Sequence, residues 1–355
     1  MKNQTLKIII CVITACCILI STYSCSILAK QDQSEKKEGK PLVGFSMCSL
    51  LVEGWYKDRA AITEELSRLD VDVIVQNANN DPKLQAEQID DLIDKGVNVL
   101  IITPVVRDGL SEQLERAHRE GIKIIAYARL IEGSHIDAYY CFDSFNVGRN
   151  LALGILDGMD SGNLLIINGA RDDHNTTLYR EGYMSILEPG INSGRIKIID
   201  DIYCPDWEIE YAYEAVEKAI GSGKRIDGIL AANDALAGAA IQVLLENGIA
   251  DDTVVVGQDG ELAAYQRIVE GVQHATVYKP YNKLGSSAAV AAYRMCLDQP
   301  FAYTETIDNG YENVKFYNVD VMLVTDDNID EVVIDSGVYT QKQVYMNVIG
   351  GSDNT

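Results

Sequence analysis

The sequence predicts an α/β fold of two successive lobes, each a parallel sheet flanked by helices. Three observations carry this. From Leu42 onward, short apolar runs alternate with amphipathic segments of helical spacing, joined by short links. The alternation pauses at the short stretch Ala138–Asp143 and then restarts. Late elements follow the second series, which implies two similar domains joined by more than one strand.

The chain opens with Lys2 and Lys7 before an uncharged, mostly apolar run from Ile8 to Ala29. A short basic region before such a run is an export signal. Three fates of the segment stand side by side. Thr22-Tyr23-Ser24-Cys25 offers a lipoprotein site with Cys25 lipidated, although Thr22 replaces the usual Leu. Ile13-Thr14-Ala15-Cys16 fits that pattern better but leaves a very short apolar region before Cys16. The run is also 22 residues long, and roughly 20 suffice to cross a bilayer as an uncleaved anchor. Each places the body outside the cell membrane and tethered to it. Gln31–Lys40 has no apolar residue and reads as a flexible tether.

The body begins at Pro41. Leu42–Met47 reads as a strand, Trp55–Leu69 as a helix, and Val71–Val75 as a strand opening into the polar loop Gln76–Pro82. Lys83–Lys95 is a helix stopped by Gly96, Val97–Thr103 a buried strand, and Gly109–Glu120 a helix stopped by Gly121. Lys123–Ala128 is a strand running into Arg129. After the pause come a helix at Val147–Met159, a strand at Asn163–Asn168 and a helix at Thr176–Leu187. A strand at Ile196–Tyr203 and a helix at Trp207–Ile220 follow. The next unit, Gly228–Asp259, is a strand, the helix Ala235–Asn247 closed by Gly248, and a second strand. Glu261–Glu270, Ala275–Lys279 and Tyr281–Leu297 extend the pattern. Val319–Val324 is a late strand, Asn328–Val333 a short final element, and Val344 begins a tail expected to be poorly ordered.

Parallel strands joined by crossover helices bring their carboxyl ends to one edge, where open α/β sheets bind ligands. In the Gly228–Asp259 unit that edge carries Asn233-Asp234 and Gln258-Asp259. Capping of the helix accounts for one residue of the first pair, and leaves the second unexplained. The other strand ends supply Trp55, Lys57 and Asp58; Asn77, Asn79 and Asn80; Arg129; Asp172, Asp173, His174 and Asn175; Tyr203 and Trp207; and Lys279. A sugar ring has two C–H faces and a rim of hydroxyls. Aromatic rings suit the faces, and planar Asp, Asn and Arg groups engage neighbouring hydroxyls in pairs. The only two tryptophans, Trp55 and Trp207, each begin a helix after a strand, one per lobe.

Other chemistries are set aside. The formal net charge of −23 repels nucleic acid and anionic membranes. Asp172-Asp173-His174 has no second His or Cys nearby to complete a metal site. No GxSxG, HExxH, Walker loop or GxGxxG follows a strand, so the expectation is a protein that is not an enzyme and carries no cofactor or metal. Four of the eight cysteines lie in the leading segment. The scattered remainder (Cys48, Cys141, Cys204, Cys296) reads as structural thiols.

A set of motifs resembles the ribose-type (type 1) periplasmic sugar-binding proteins, and within them the D-xylose-binding branch of bacterial ABC transporters. They are Trp55-Tyr56-Lys57-Asp58-Arg59, Val75-Gln76-Asn77-Ala78-Asn79, Ala126-Tyr127-Ala128-Arg129, Asp173-His174-Asn175 with Arg180 and Gly182, Asp206-Trp207, Ala232-Asn233-Asp234-Ala235, Gly257-Gln258-Asp259 and Thr276-Val277-Tyr278-Lys279-Pro280. Each is weak alone; together they run in family order from about Pro41 to Ser336. The resemblance implies two Rossmann-like lobes, three hinge crossings and one pentose in the cleft. It assigns residues 41–142 with 280–318 to the N-terminal lobe and 143–279 with 319–343 to the C-terminal lobe. Residues 1–29 are then signal or anchor, 30–40 tether and 344–355 tail. The crossings fall near Cys141–Ser144, Lys279–Asn282 and Tyr317–Asp320.

By motif position the sugar contacts are Trp55, Arg129, Asp173, Asn175, Trp207, Asn233, Asp259 and Lys279, with Lys57, His174, Asp234 and Gln258 as weaker candidates. Two departures stand out: the xylose branch has Asp where this chain has Ala128, and Arg where it has Gly54. The implied function is delivery of D-xylose or a similar aldopyranose to an ABC permease, the protein acting as a monomer. A tethered sensor subunit signalling to a histidine kinase or chemoreceptor is the alternative. A sugar-converting enzyme lacks a catalytic set here. A cytoplasmic sugar-responsive repressor, which shares the fold, is set aside by the export signal and the acidic charge.

Overall fold

The computed structural model describes residues 39–348. The expectations for the export segment, the lipidation candidates Cys16 and Cys25, most of the tether and the end of the tail lie outside them. From Pro41 the described chain is one compact unit holding two sheets.

The first series is β1 (Leu42–Met47), α1 (Glu53–Arg68), β2 (Asp72–Asn77), α2 (Pro82–Asp94), β3 (Val99–Ile102), α3 (Ser111–Arg119), β4 (Lys123–Tyr127) and β5 (Ala138–Phe142). The second is α4 (Ser144–Gly158), β6 (Gly162–Asn168), α5 (His174–Asn192), β7 (Ile196–Tyr203), α6 (Glu210–Gly221), β8 (Gly228–Ala231), α7 (Asp234–Glu246), β9 (Val254–Asp259), α8 (Leu262–Val269) and β10 (Ala275–Tyr278). The chain ends with α9 (Tyr281–Cys296), β11 (Glu305–Asp308), β12 (Asn313–Val319), β13 (Met322–Val324), a π-turn at Asp330–Asp335 and α10 (Gln341–Val344).

The first sheet has the order β11-β12-β5-β4-β3-β1-β2, and the second β13-β10-β9-β8-β6-β7. All pairings are parallel except β11 with β12 and β13 with β10, which close one edge of each sheet. The chain passes between the sheets after β5, after β10 and after β12. The inner strands, such as β3, β4, β5 and β8, are buried on both faces, as parallel sheets require. Val99 and Ile101 of β3 join the core under α1 and α9, while Leu100 and Ile102 face the core under α2 and α3. In the second sheet Ile229 points toward α6 and α7, and Leu230 toward α4 and α5. Gly96, Gly121 and Gly248 follow α2, α3 and α7 with positive φ, the left-handed turn that ends a helix.

Four expectations need correction. The hairpin β11–β12 is absent from the sequence reading, which placed a single strand at Val319–Val324. The edge strand β11 is mostly exposed, and polar residues interrupt the apolar ones of β12 beside it, so no apolar run announces them. Trp207 does not begin a helix. It ends a single 3-10 turn at Pro205–Trp207 with φ 62, and Asp206 before it has φ 51, so the helix starts only at Glu210. Helix α5 does not stop at Leu187 but continues through Pro189 to Asn192. Val344 is fully buried in a cluster with Tyr265, Ile268, Val324 and Val333, so the final segment packs against α8.

Candidate functional site

The carboxyl ends of the two sheets meet, and most of the strand-end residues converge there. Arg129 leaves β4 after Ala128, whose φ of 59 turns the chain back on itself. Its Nε lies 3.2 Å from Oδ2 of Asp173, which belongs to the other sheet's lobe. Asp173 caps α5: its Oδ1 accepts from the Asn175 amide at 2.9 Å. The same carboxylate accepts from Trp207 Nε1 at 3.3 Å, and the Arg129 guanidinium sits 5.7 Å from the Trp55 ring centre. One indole from each lobe is thus linked by an ion pair. The Trp207 ring lies on Gly169, where a Cβ would come within 2.2 Å of Cη2. The glycine is what lets the ring lie flat on the backbone.

A second pair sits beside the second crossing. Lys279 is buried. Its Nζ donates to Asp259 Oδ1 at 2.9 Å and to the Tyr179 hydroxyl at 3.3 Å, with the Phe142 ring centre 5.5 Å away. Burial alone would lower the affinity of this amine for its proton; the Asp259 carboxylate reverses that and holds the ammonium well above its ordinary range. Asp259 has φ 117, a conformation that side-chain-bearing residues adopt only when their surroundings impose it.

Asn175 is buried and spoken for by the protein. Its Nδ2 donates to the Ala128 carbonyl at 2.8 Å and its Oδ1 accepts from Ser144 Oγ at 3.1 Å, tying α5 to β4 and to the first crossing. Asn233 caps α7 through Oδ1, which accepts from the Leu236 amide at 2.8 Å. Lys57 donates to the Gly260 carbonyl at 3.2 Å. His174 Nδ1 lies 3.2 Å from Glu132, and its Nε2 is buried without a partner.

Asp234 faces inward. Its carboxylate accepts from the Gly260 and Glu261 amides, from Thr276 Oγ1 and from Gln273 Nε2, so it organises the β9–α8 turn rather than offering oxygens to the cleft. Gln258 is likewise buried, with Nε2 donating to the Ala232 carbonyl at 2.8 Å. The Gly54 departure has a counterpart in space: a Cβ there would meet the Tyr281 hydroxyl at 2.7 Å, so Tyr281 occupies the room a larger residue would need.

Asp58, one of the strand-end residues of the sequence, is not among the sugar contacts that the resemblance implies. It lies one turn after Trp55 on the same face of α1, is only 1 % exposed, and receives the Tyr127 hydroxyl. The three-residue spacing from Trp55 was the available signal. Burial raises its pKa to about 7, against the opposing pull of Tyr127 and Lys279. Burial also lifts Asp234 to about 6 and Glu261 to about 8. A carboxyl with a raised folded pKa adds most stability when protonated, and that stability is lost as pH rises through the folded value. Stability is therefore expected to fall between about pH 4 and pH 8. Asp58→Asn should raise the melting temperature at pH 8, by a margin that shrinks steadily toward pH 4. A variant that melts alike or lower at pH 8 would show that the Asp58 charge is not a burden.

Two open surface cavities, of about 430 and 270 Å³, lie beside α9 at Phe301 and Tyr317, and beside the first crossing at Phe142–Phe145. The four described cysteines are free, and among the described residues no His, Cys, Asp and Glu group is placed to hold a metal ion. No described helix is long and apolar enough to cross a membrane.

A family model described as "Periplasmic binding protein domain" matches residues 43–300. The chain is 38% identical to a D-xylose-binding periplasmic protein of Haemophilus influenzae, over 85% of this chain and 92% of that one. It is 34% identical to the D-xylose-binding periplasmic protein of Escherichia coli, over 92% and 98%. An ABC transporter solute binding protein from Clostridium phytofermentans with bound β-D-glucose superposes with a TM-score of 0.78 at 27% identity, over 85% of this chain and 99% of that one. A carbohydrate transporter solute binding protein from Chloroflexus aurantiacus with D-glucose gives 0.81 at 28% identity, over 86% and 98%. By sequence and by architecture, with two mostly parallel sheets and three crossings, this chain belongs to the periplasmic binding proteins, in their type 1 fold.

Proposed function

We propose that this protein binds a monosaccharide outside the cytoplasm, D-xylose or a similar aldopyranose, and delivers it to an ABC permease. The observation that carries the reading is the pairing of Trp55 and Trp207, one per lobe, about the Arg129–Asp173 ion pair. Two indoles supply flat apolar faces and the charged pair supplies planar polar groups, the combination a pyranose ring needs. Asp259, with Lys279 behind it and Asn233 just beyond the neighbouring strand, completes the polar rim. Sugar bound at both half-sites favours the closed lobes, and the permease reads that form. The two D-xylose-binding relatives point to xylose, and the solved relatives with bound sugars come from ABC transporters. The protein acts as a monomer held at the outer face of the cell membrane by the segment before Pro41.

Titration calorimetry and thermal shift against pentoses and hexoses test the reading. D-xylose is expected to raise the melting temperature by mass action. A shift with another aldopyranose alone would move the specificity to Ala128 and Gly54. No shift with any monosaccharide would sink the proposal.

A further inference from the structure

Away from the tryptophans and the Arg129–Asp173 pair, a second set of contacts joins the lobes. Its centre is Glu53, the first residue of α1. Glu53 Oε2 accepts from the Leu262 amide of the other lobe at 3.3 Å, and Oε1 accepts from the Tyr339 hydroxyl. Lys57, one turn further on, lies 3.0 Å from Glu53 Oε1. The ammonium donates to the Gly260 carbonyl. It also sits between two rings, 5.2 Å from the Tyr281 centre and 4.8 Å from that of Tyr339. Burial alone would raise the Glu53 carboxyl; the Tyr339 hydroxyl and the Lys57 ammonium overcome it and hold the group below its ordinary range.

Tyr339 is itself fixed. Its amide donates to the Val333 carbonyl at 3.2 Å, its ring packs edge-on against Tyr265 at 5.8 Å, and the flanking Val333 and Val344 are buried against α8. The segment after β13 thus straps onto the second lobe and presents one phenol to the first.

We propose that Glu53, Lys57 and Tyr339 form a latch that sets how long the sugar is retained, with the C-terminal segment as its strike plate. This rests on the sugar-binding reading above. The three are positioning residues. They act through closure, since their cross-lobe bonds exist only when the lobes are together. Whatever stabilises the closed form raises the apparent affinity for any ligand that needs it. Most of that effect falls on dissociation, because reopening must break the latch while the first encounter does not use it.

The test uses the full chain and D-xylose. Tyr339→Phe keeps the ring against Tyr265 and Lys57 and removes only the hydroxyl. Affinity is expected to fall about tenfold, the usual worth of a hydrogen bond to a charged group, nearly all of it as faster dissociation in stopped-flow tryptophan fluorescence. Glu53→Ala should lose more, because it also removes the acceptor of the Leu262 amide and the partner of Lys57. The double variant should be little worse than Glu53→Ala, because the Tyr339 hydroxyl bond is already lost in it. Glu53→Gln, which keeps an acceptor, should recover part of the loss. In the absence of sugar, small-angle scattering should report a larger mean radius for the variants at unchanged melting temperature. Unchanged dissociation and scattering in Tyr339→Phe and Glu53→Ala would overturn the latch, as would a loss carried by the association rate. The scattering arm needs no ligand, so a wild type that binds no sugar would defeat the functional reading and leave the latch to be decided separately.

Discussion

Asp259→Ala is expected to weaken D-xylose binding by at least about a hundredfold, which corresponds to roughly 2.7 kcal/mol. Two losses combine. A carboxylate receiving sugar hydroxyls makes charge-assisted bonds, about twice as strong as neutral ones. The substitution also strands the Lys279 ammonium, which is buried and relies on Asp259 as its anionic partner. Removing one member of a buried pair leaves an uncompensated charge, at a cost on the order of 3–5 kcal/mol. The protein is therefore expected to melt lower as well, and the two effects separate by experiment. Asp259→Asn keeps the shape and one acceptor, so it should recover more of the stability than of the affinity. Calorimetry on both variants checks this. An Asp259→Ala protein within threefold of wild-type affinity would remove Asp259 from the binding site.

Gly148→Ala is expected to cost on the order of 3 kcal/mol of stability or more. Helices α4 and α5 cross so closely that a Cβ on Gly148 would lie 2.0 Å from the Tyr179 carbonyl oxygen, and one on Gly182 would lie 2.1 Å from that of Phe145. Both obstacles are backbone, so no rotamer change relieves the clash; the helices must separate. Helix α5 carries Asp173 at its cap and Asn175 in its first turn, so the shift reaches the cleft. The expected result is a melting temperature lower by several degrees together with weaker sugar binding. Thermal unfolding followed by titration checks both, and a variant melting within about a degree of wild type would contradict the crossing geometry.

Most of the fold was legible because its inner strands are buried on both faces, so runs such as Val99–Ile102 and Ile229–Ala231 announce themselves by composition. What escaped shares one property: the signal is not local. The β11–β12 hairpin is half exposed and lacks an apolar run. The Glu53–Tyr339 bond joins residues 286 apart. At the strand ends, residue type marked the polar edge without telling which oxygens the fold consumes. Asp234 and Gln258 look like Asp259 in sequence, yet Asp234 is consumed by the β9–α8 turn and Thr276, and Gln258 by the Ala232 carbonyl, whereas Asp259 is only partly buried, and only the tertiary packing separates them.

Ala128, Trp207 and Asp259 all stand at backbone angles that most side chains resist. Their directions are set by the chain before any ligand arrives, so little ordering has to be done on binding. The same geometry narrows what redesign or drift can place there. A β-branched residue at these three positions would distort the loop before it touched a sugar; Gly enters freely at all three, and Asn or Asp more readily than other residues at 128 and 207. If sugar binds at these strand ends as proposed, a new ligand preference is more accessible through neighbours on regular helix, such as Gly54 and Tyr281, than through these loop positions.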